Sequence, residues 1–209
     1  MTKPERLLAV VGIAVVASAV LLMVYVRESN PADADTSGCA DQSARLGQTL
    51  DQVRFSTSAA HAISTAVSDT VKTRDQYLTM IAANRRQLPA LHLGSRSAVA
   101  VEHDLGQAAW ILNAQDAPLQ QARAIVAAEQ REISAATPMV SEASSDLHDQ
   151  DCSALSLTLA RSGWPKDRII GELSAAARLN SQVSDKLESA LGLILQAQHE
   201  AHPFSGATH

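Results

Sequence analysis

Apolar residues recur at alternating intervals of three and four positions from Ala98 to Leu157. These positions are Ala98, Val101, Leu105, Ala108, Leu112, Gln115, Leu119, Ala122, Val126, Glu129, Ile133, Ala136, Val140, Ala143, Leu147, Gln150, Ala154 and Leu157, and all but Gln115, Glu129 and Gln150 are apolar. An apolar period of about 3.5 residues over so many turns is typical of a helix that packs lengthwise against other helices. The pattern predicts one long helix, although several shorter helices kept in phase would also produce it.

Two further stretches supply partners for this helix. The stretch before it, residues 39–88, has a looser stripe in which nine of thirteen positions are apolar: Leu46, Leu50, Val53, Thr57, Ala60, Ser64, Val67, Val71, Arg74, Leu78, Ile81, Arg85 and Leu88. The stripe after it runs from Ile169 to Ala201 and is apolar except at Asn180, and a single Asn on a seam often fixes helix register. Turns rich in proline and glycine, at Leu88–Ser95 and Ser162–Pro165, separate the three stretches. The sequence therefore predicts an all-α fold with about three long helices in an elongated antiparallel bundle or coiled coil.

Two prolines fall within the middle stretch, at Pro118 and Pro138. An interior proline removes a helix hydrogen bond and costs about 3 kcal/mol. The apolar register continues through both positions, so we expect kinks within one returning helix. Asp116 and Thr137 are residue types that could instead cap new helices.

The N-terminal part contains twenty consecutive residues without charge, from Leu7 to Val26. A helix of this length spans about 30 Å, the thickness of the hydrocarbon core of a bilayer. Lys3 and Arg6 precede it, so the positive-inside rule places residues 1–6 in the cytoplasm and the rest of the chain outside. A signal peptide cleaved after Ala17-Ser18-Ala19 is the alternative, but the mature chain would then begin with an apolar segment.

The expected organisation follows from these segments. Residues 1–6 are a cytoplasmic N-terminus, 7–26 a transmembrane helix and 27–38 a polar linker. Residues 39–201 form the extracytoplasmic bundle, and 202–209 a flexible tail. Arginine outnumbers lysine, which suggests a bacterial source by association, so the expected location is the bacterial inner membrane with the bundle on the periplasmic side.

The chain contains two cysteines, Cys39 and Cys152, both predicted to lie outside the membrane. Disulfides persist in such oxidising compartments. The two positions are nearly equidistant from the turn at Pro89–Ser95, as paired residues of a helical hairpin should be. We therefore predict a disulfide between them; an intermolecular link or two free thiols are the alternatives.

The sequence carries few signs of catalysis or of cofactor binding. It has no glycine-rich phosphate loop, no nucleophile elbow and no Cys-x-x-Cys motif. Two polar clusters, His199-Glu200-x-His202 and Asp146 with His148, Asp149 and Asp151, are interpreted as solvated residues at helix ends rather than metal ligands. We expect no enzyme activity, no catalytic residue, no cofactor and no metal. The net charge of −5 argues against a nucleic-acid partner.

Two features predict contacts with other proteins. At the first turn a basic rim is expected to surround exposed apolar residues, and Trp110 falls on the outward side of the middle helix. The predicted partner-binding residues are Arg85, Arg86, Leu91, Arg96 and Trp110. Arginine and tryptophan are enriched at the energetically important positions of interfaces.

The predicted function is therefore non-enzymatic. The chain would be a single-pass membrane protein whose helical bundle serves as an adaptor or structural subunit of a cell-envelope assembly. Its partners would be the lipid bilayer, other envelope proteins and a further copy of itself. The alternative is a bundle that senses a ligand or metal and acts through a partner membrane protein. A polar pocket between the helices would favour the sensor, and a filled apolar seam would favour the adaptor.

Overall fold

The computed structural model describes residues 39–91 and 93–201. They form five α-helices and one short 3-10 helix. In chain order these are α1 (Cys39–Gln87), the 3-10 helix (Leu88–Leu91), α2 (Ser95–Ala114), α3 (Asp116–His148), α4 (Cys152–Ser162) and α5 (Lys166–Ala201). Three of the helices are long and the described residues contain no strand, so the predicted all-α helical bundle is confirmed.

The predicted membrane anchor over residues 7–26 lies outside the described residues, as do the segments 1–6, 27–38 and 202–209. Among the helices from α1 to α5, none has an apolar stretch that would reach across a bilayer.

The helices assemble into two compact units, each built from separate parts of the chain. Unit 1 contains residues 39–63 and 126–174, and unit 2 contains residues 64–125 and 175–201. Helices α1, α3 and α5 each contribute residues to both units.

The core of unit 1 forms where α1, α3 and α4 meet. Leu46, Val140, Ala143 and Leu155 are buried together, with half-buried leucines and a valine packed around them. In unit 2, α2 and α5 contribute most of the buried apolar residues. These are Val101, Leu105, Ala108 and Leu112 from α2 and Ala176, Val183, Leu187, Ala190, Ile194 and Ala197 from α5. Alanines are interspersed among the larger residues of both helices, which lets them pack closely.

The predicted apolar stripes are the buried faces of the helices. From Val101 to Ala143 every predicted stripe position is buried except the half-buried Gln115, and from Ile169 to Ala197 every one is buried. The long middle helix that the sequence predicts is nevertheless divided. It ends at Ala114 and begins again at Asp116, so Pro118 lies in the first turn of α3, where backbone N–H groups have no helical partner to lose. Pro138 lies inside α3 without interrupting it.

A second division, which the sequence pattern did not predict, separates α3 from α4. The backbone N–H of Asp151 donates to the carbonyl of Asp146 and that of Gln150 to the carbonyl of Leu147, while Gln150 has a φ of 58°. This is the Schellman arrangement that ends helices. It changes the register, so the prediction that Leu157 lies on the seam is wrong. Leu157 is 58% exposed, and Leu155 is buried instead.

Candidate functional site

The turn between α1 and α2 in unit 2, which we call the tip, contains four of the predicted partner-binding residues. Arg85 and Arg86 lie in the last turn of α1, Leu91 ends the 3-10 helix and Arg96 lies in the first turn of α2. The structure therefore brings these residues together, as the sequence predicted for a turn. Trp110, near the other end of α2, is separate from them.

The arginines of the tip are not equivalent. The Nη2 atom of Arg85 lies 2.8 Å from Oε1 of Glu102 on α2, so an acidic side chain balances this charge. Arg86 donates from Nε to the carbonyl of Ala82 and is exposed. Arg96 is also exposed, and neither Arg86 nor Arg96 has an acidic partner within the described part of the chain. The sequence analysis missed Glu102, because it lies beyond the turn and meets Arg85 only through the packing of α1 against α2.

The apolar residues of the tip face inward more than the sequence suggested. Leu88 and Leu91 are half-buried and line a small cavity together with residues of α1, α2 and α5. The complete lining is Asn84, Gln87, Leu88, Leu91, Val101, Leu105, Ala197, Gln198 and Ala201. The basic rim of the tip is therefore exposed, as predicted. Its apolar centre was predicted to be exposed but is packed against the neighbouring helices.

The cavity is small and partly polar. Its volume is about 20 Å³, which is enough for about one water molecule. Nε2 of Gln198 donates to Oδ1 of Asn84 over 3.4 Å, while Nδ2 of Asn84 is buried and lacks an acceptor among the described residues. A water in the cavity would supply that acceptor. The space is too small for an organic ligand.

A continuous outward face runs along α2 and the beginning of α3. Its residues recur at intervals of three or four, and all are exposed except Gly106, which is half-buried. We call it the outer face: Val99, His103, Gly106, Trp110, Ala114, Ala117, Gln121 and Ala124. Val99 is 70% exposed and Trp110 72% exposed. Trp110 thus faces away from the seam, as predicted, and no described helix covers it.

Two aspartates of the polar cluster Asp146, His148, Asp149 and Asp151 accept hydrogen bonds from neighbouring residues of the fold. Oδ2 of Asp146 accepts a hydrogen bond from Oγ1 of Thr158 at 2.9 Å, and Oδ1 of Asp151 accepts one from the backbone N–H of Ala154 at the start of α4. Residues 39–91 and 93–201 include no group of three or more histidines, cysteines or acidic residues placed to hold a metal. His202, from the other cluster, lies outside these residues.

Cys152, the first residue of α4, is disulfide-bonded. The sequence contains one other cysteine, Cys39, at the start of α1. The side chain of Cys39 lies outside the described part of the structure, so its pairing with Cys152 stays a prediction.

Comparison with known proteins identifies no relative: no protein-family model, no curated protein and no solved structure matches this chain.

Proposed function

We propose that this protein is a non-enzymatic adaptor or structural subunit of a bacterial cell-envelope assembly. Residues 7–26 hold it in the inner membrane, and the helical units lie on the periplasmic side. The observation that carries the proposal is the contrast between the two sides of α2. Its inner face is filled by Leu105, Ala108 and Leu112, each 0% exposed, while its outer face leaves Trp110 72% exposed.

This contrast supports a role in contacts rather than in ligand binding. A tryptophan contributes more apolar area to an interface than most side chains, and leaving it in water is unfavourable unless a partner covers it. The exposed Arg86 and Arg96 at the tip add a second surface suited to an anionic partner.

The cavity at the tip is too small to be the ligand site of a small-molecule sensor. A sensor for a small molecule needs a site of several hundred Å³, whereas the cavity beside Asn84 and Gln198 has about 20 Å³. A sensor for a metal remains the second candidate, and thermal unfolding with and without Zn²⁺ or Ni²⁺ tests it. We expect no shift in melting temperature.

The adaptor proposal is tested by crosslinking in intact cells. A photoreactive amino acid replaces Arg86 or Arg96 at the tip, and in the control it replaces the exposed Arg178 on α5. We expect Arg86 and Arg96 to yield one defined product with a second envelope protein, identified by mass spectrometry, and Arg178 to yield none. Identical products from all three positions, or none from any, would contradict a partner at the tip.

The membrane anchor is tested separately. Because Leu7 to Val26 is long enough to span a bilayer, the full-length chain should stay in the membrane fraction after washing with carbonate at high pH. Recovery of a soluble protein that begins near Val20 would show a cleaved signal peptide instead.

A further inference from the structure

We propose that the outer face binds the same face of a second copy of this chain. The two α2–α3 stretches run antiparallel, related by a two-fold axis level with Leu112. This inference rests on the proposed role in contacts, because it names a second copy of the chain as the partner that covers Trp110; the tip, which the crosslinking experiment tests, is a separate surface.

The spacing of the outer face is self-complementary about that axis. Trp110 of one copy lies opposite Ala114 of the other, Gly106 opposite Ala117, and Val99 opposite Ala124. The two polar positions, His103 and Gln121, also face each other. Trp110 and Val99 therefore meet alanines, and polar residues meet polar ones, which makes the surface self-complementary.

Charges beside the outer face favour the same arrangement. Glu102 precedes His103, and Arg123 precedes Ala124. The antiparallel register places Glu102 of each copy next to Arg123 of the other. Glu102 is 53% exposed and uses Oε1 for Arg85, and a carboxylate accepts more than one hydrogen bond. Arg123 is exposed and forms no ion pair with a described residue.

A parallel pairing lacks these matches. It would place Trp110 against Trp110 and His103 against His103, and it would separate Glu102 from Arg123. In the antiparallel pair the helices of the two copies run in opposite directions. Two copies anchored in the same membrane can form this contact only with the two-fold axis perpendicular to the membrane, so that α2 of each copy runs along the membrane surface.

The first test is sedimentation equilibrium of the full chain in a density-matched detergent over a range of concentrations. We expect a concentration-dependent dimer. Trp110→Gln should weaken dimerisation by about tenfold or more. Leu195→Gln is the matched control, because Leu195 is 50% exposed on α5, away from the outer face. A wild-type chain that stays monomeric, or equal effects of the two substitutions, would overturn the proposal.

A charge reversal tests the register. Glu102→Arg and Arg123→Glu should each weaken the dimer, and the chain that carries both should recover most of the wild-type affinity. Glu102→Arg also breaks the ion pair with Arg85 in its own chain. Arg123 lies about 25 Å along the helices from Gly106, where Arg85 makes contact, so it cannot repair that loss within one copy. Recovery therefore reports contact between copies, and a double variant no better than the single ones would refute the antiparallel register.

Discussion

Arg168 on α5 donates from Nη1 to Oε1 of Glu129 on α3, over a distance of 3.1 Å. The Glu129 side chain is 4% exposed and that of Arg168 is 48% exposed. Arg168 also pairs with Glu132, one turn further along α3. The other oxygen of Glu129, Oε2, is buried without a hydrogen bond from the described residues. Glu129 is therefore a charge on the seam of unit 1 that relies on one arginine from the neighbouring helix.

Removal of this arginine should destabilise the protein more than its partial exposure suggests. Arg168→Met keeps most of the side chain but leaves the Glu129 carboxylate buried without a cation, which we expect to lower the free energy of unfolding by about 2 kcal/mol. The measurement is urea unfolding followed by circular dichroism.

Glu132→Gln is the control for that experiment, because Glu132 contacts the same arginine at 42% exposure. It should change stability by less than about 0.5 kcal/mol. The combined change Arg168→Met with Glu129→Met should recover much of the loss, since no charge stays buried. Equal effects of Arg168→Met and Glu132→Gln would contradict this account.

The two positions with positive φ among the described residues should respond in opposite ways. Gln150 has a φ of 58° and Gly163 a φ of 43°. Only glycine adopts this region without a steric penalty. Gln150→Gly should therefore raise the free energy of unfolding by about 0.5 kcal/mol, and Gly163→Ala should lower it by about 1 kcal/mol. Thermal melting of both variants checks the signs; a stabilised Gly163→Ala variant would show that the turn before α5 relaxes easily.

The surroundings of Asn180 indicate that this residue lowers the stability of unit 2. It is 4% exposed on the seam of α5, and its Oδ1 has no hydrogen-bond donor among the described residues. Asn180→Leu should raise the free energy of unfolding by about 1 kcal/mol, because it removes an unsatisfied polar atom and adds apolar burial. Ser181→Ala, at the exposed neighbouring position, should change stability by only a few tenths of a kcal/mol. A loss of stability in Asn180→Leu would mean that the Asn180 amide forms hydrogen bonds that stabilise α5.

The disulfide bond should stabilise the folded protein as a whole. If Cys152 pairs with Cys39, Cys39→Ser and Cys152→Ser should destabilise the protein equally, by about 5 kcal/mol in the chain-entropy account of a loop of over a hundred residues. Non-reducing electrophoresis should show a monomer whose mobility changes on reduction. A disulfide-linked dimer would assign the bond to two chains instead.

The helices and their buried faces follow from the sequence to a large extent. The predicted stripe positions between Val101 and Ala143 are buried, because successive turns of the helix present them to the same side, where the neighbouring helices pack. Proline and glycine residues in the sequence also predicted two of the breaks between helices, one after Gln87 and one around Gly163. The looser stripe of α1 was less informative: Ser56 and Thr70 are buried where Thr57 and Val71 were expected. A straight helix drifts relative to a 3.5-residue repeat, and small polar residues do little to resist that drift.

What the sequence did not predict depends on backbone geometry and on contacts between helices. The end of α3 has no glycine or proline, because Gln150 itself adopts the left-handed conformation. The ion pair from Arg85 to Glu102 and the one from Arg168 to Glu129 each depend on how two helices pack. The tip was predicted as an exposed apolar site, but the packing of Leu88 and Leu91 could not be read from the pattern.

The division of unit 2 between residues 64–125 and 175–201 has a consequence for the order of folding. Arg74 pairs with Asp116 across 42 positions, whereas Asn84 and Gln198 are 114 positions apart. Closing the loop between Asn84 and Gln198 costs about 1 kcal/mol more in lost chain entropy than closing the shorter one. During synthesis α1 and α2 also emerge before α5 exists. We therefore expect Leu105 and Leu112 to be exposed to solvent until α5 arrives, so the nascent chain is most open to aggregation in the interval before α5 emerges.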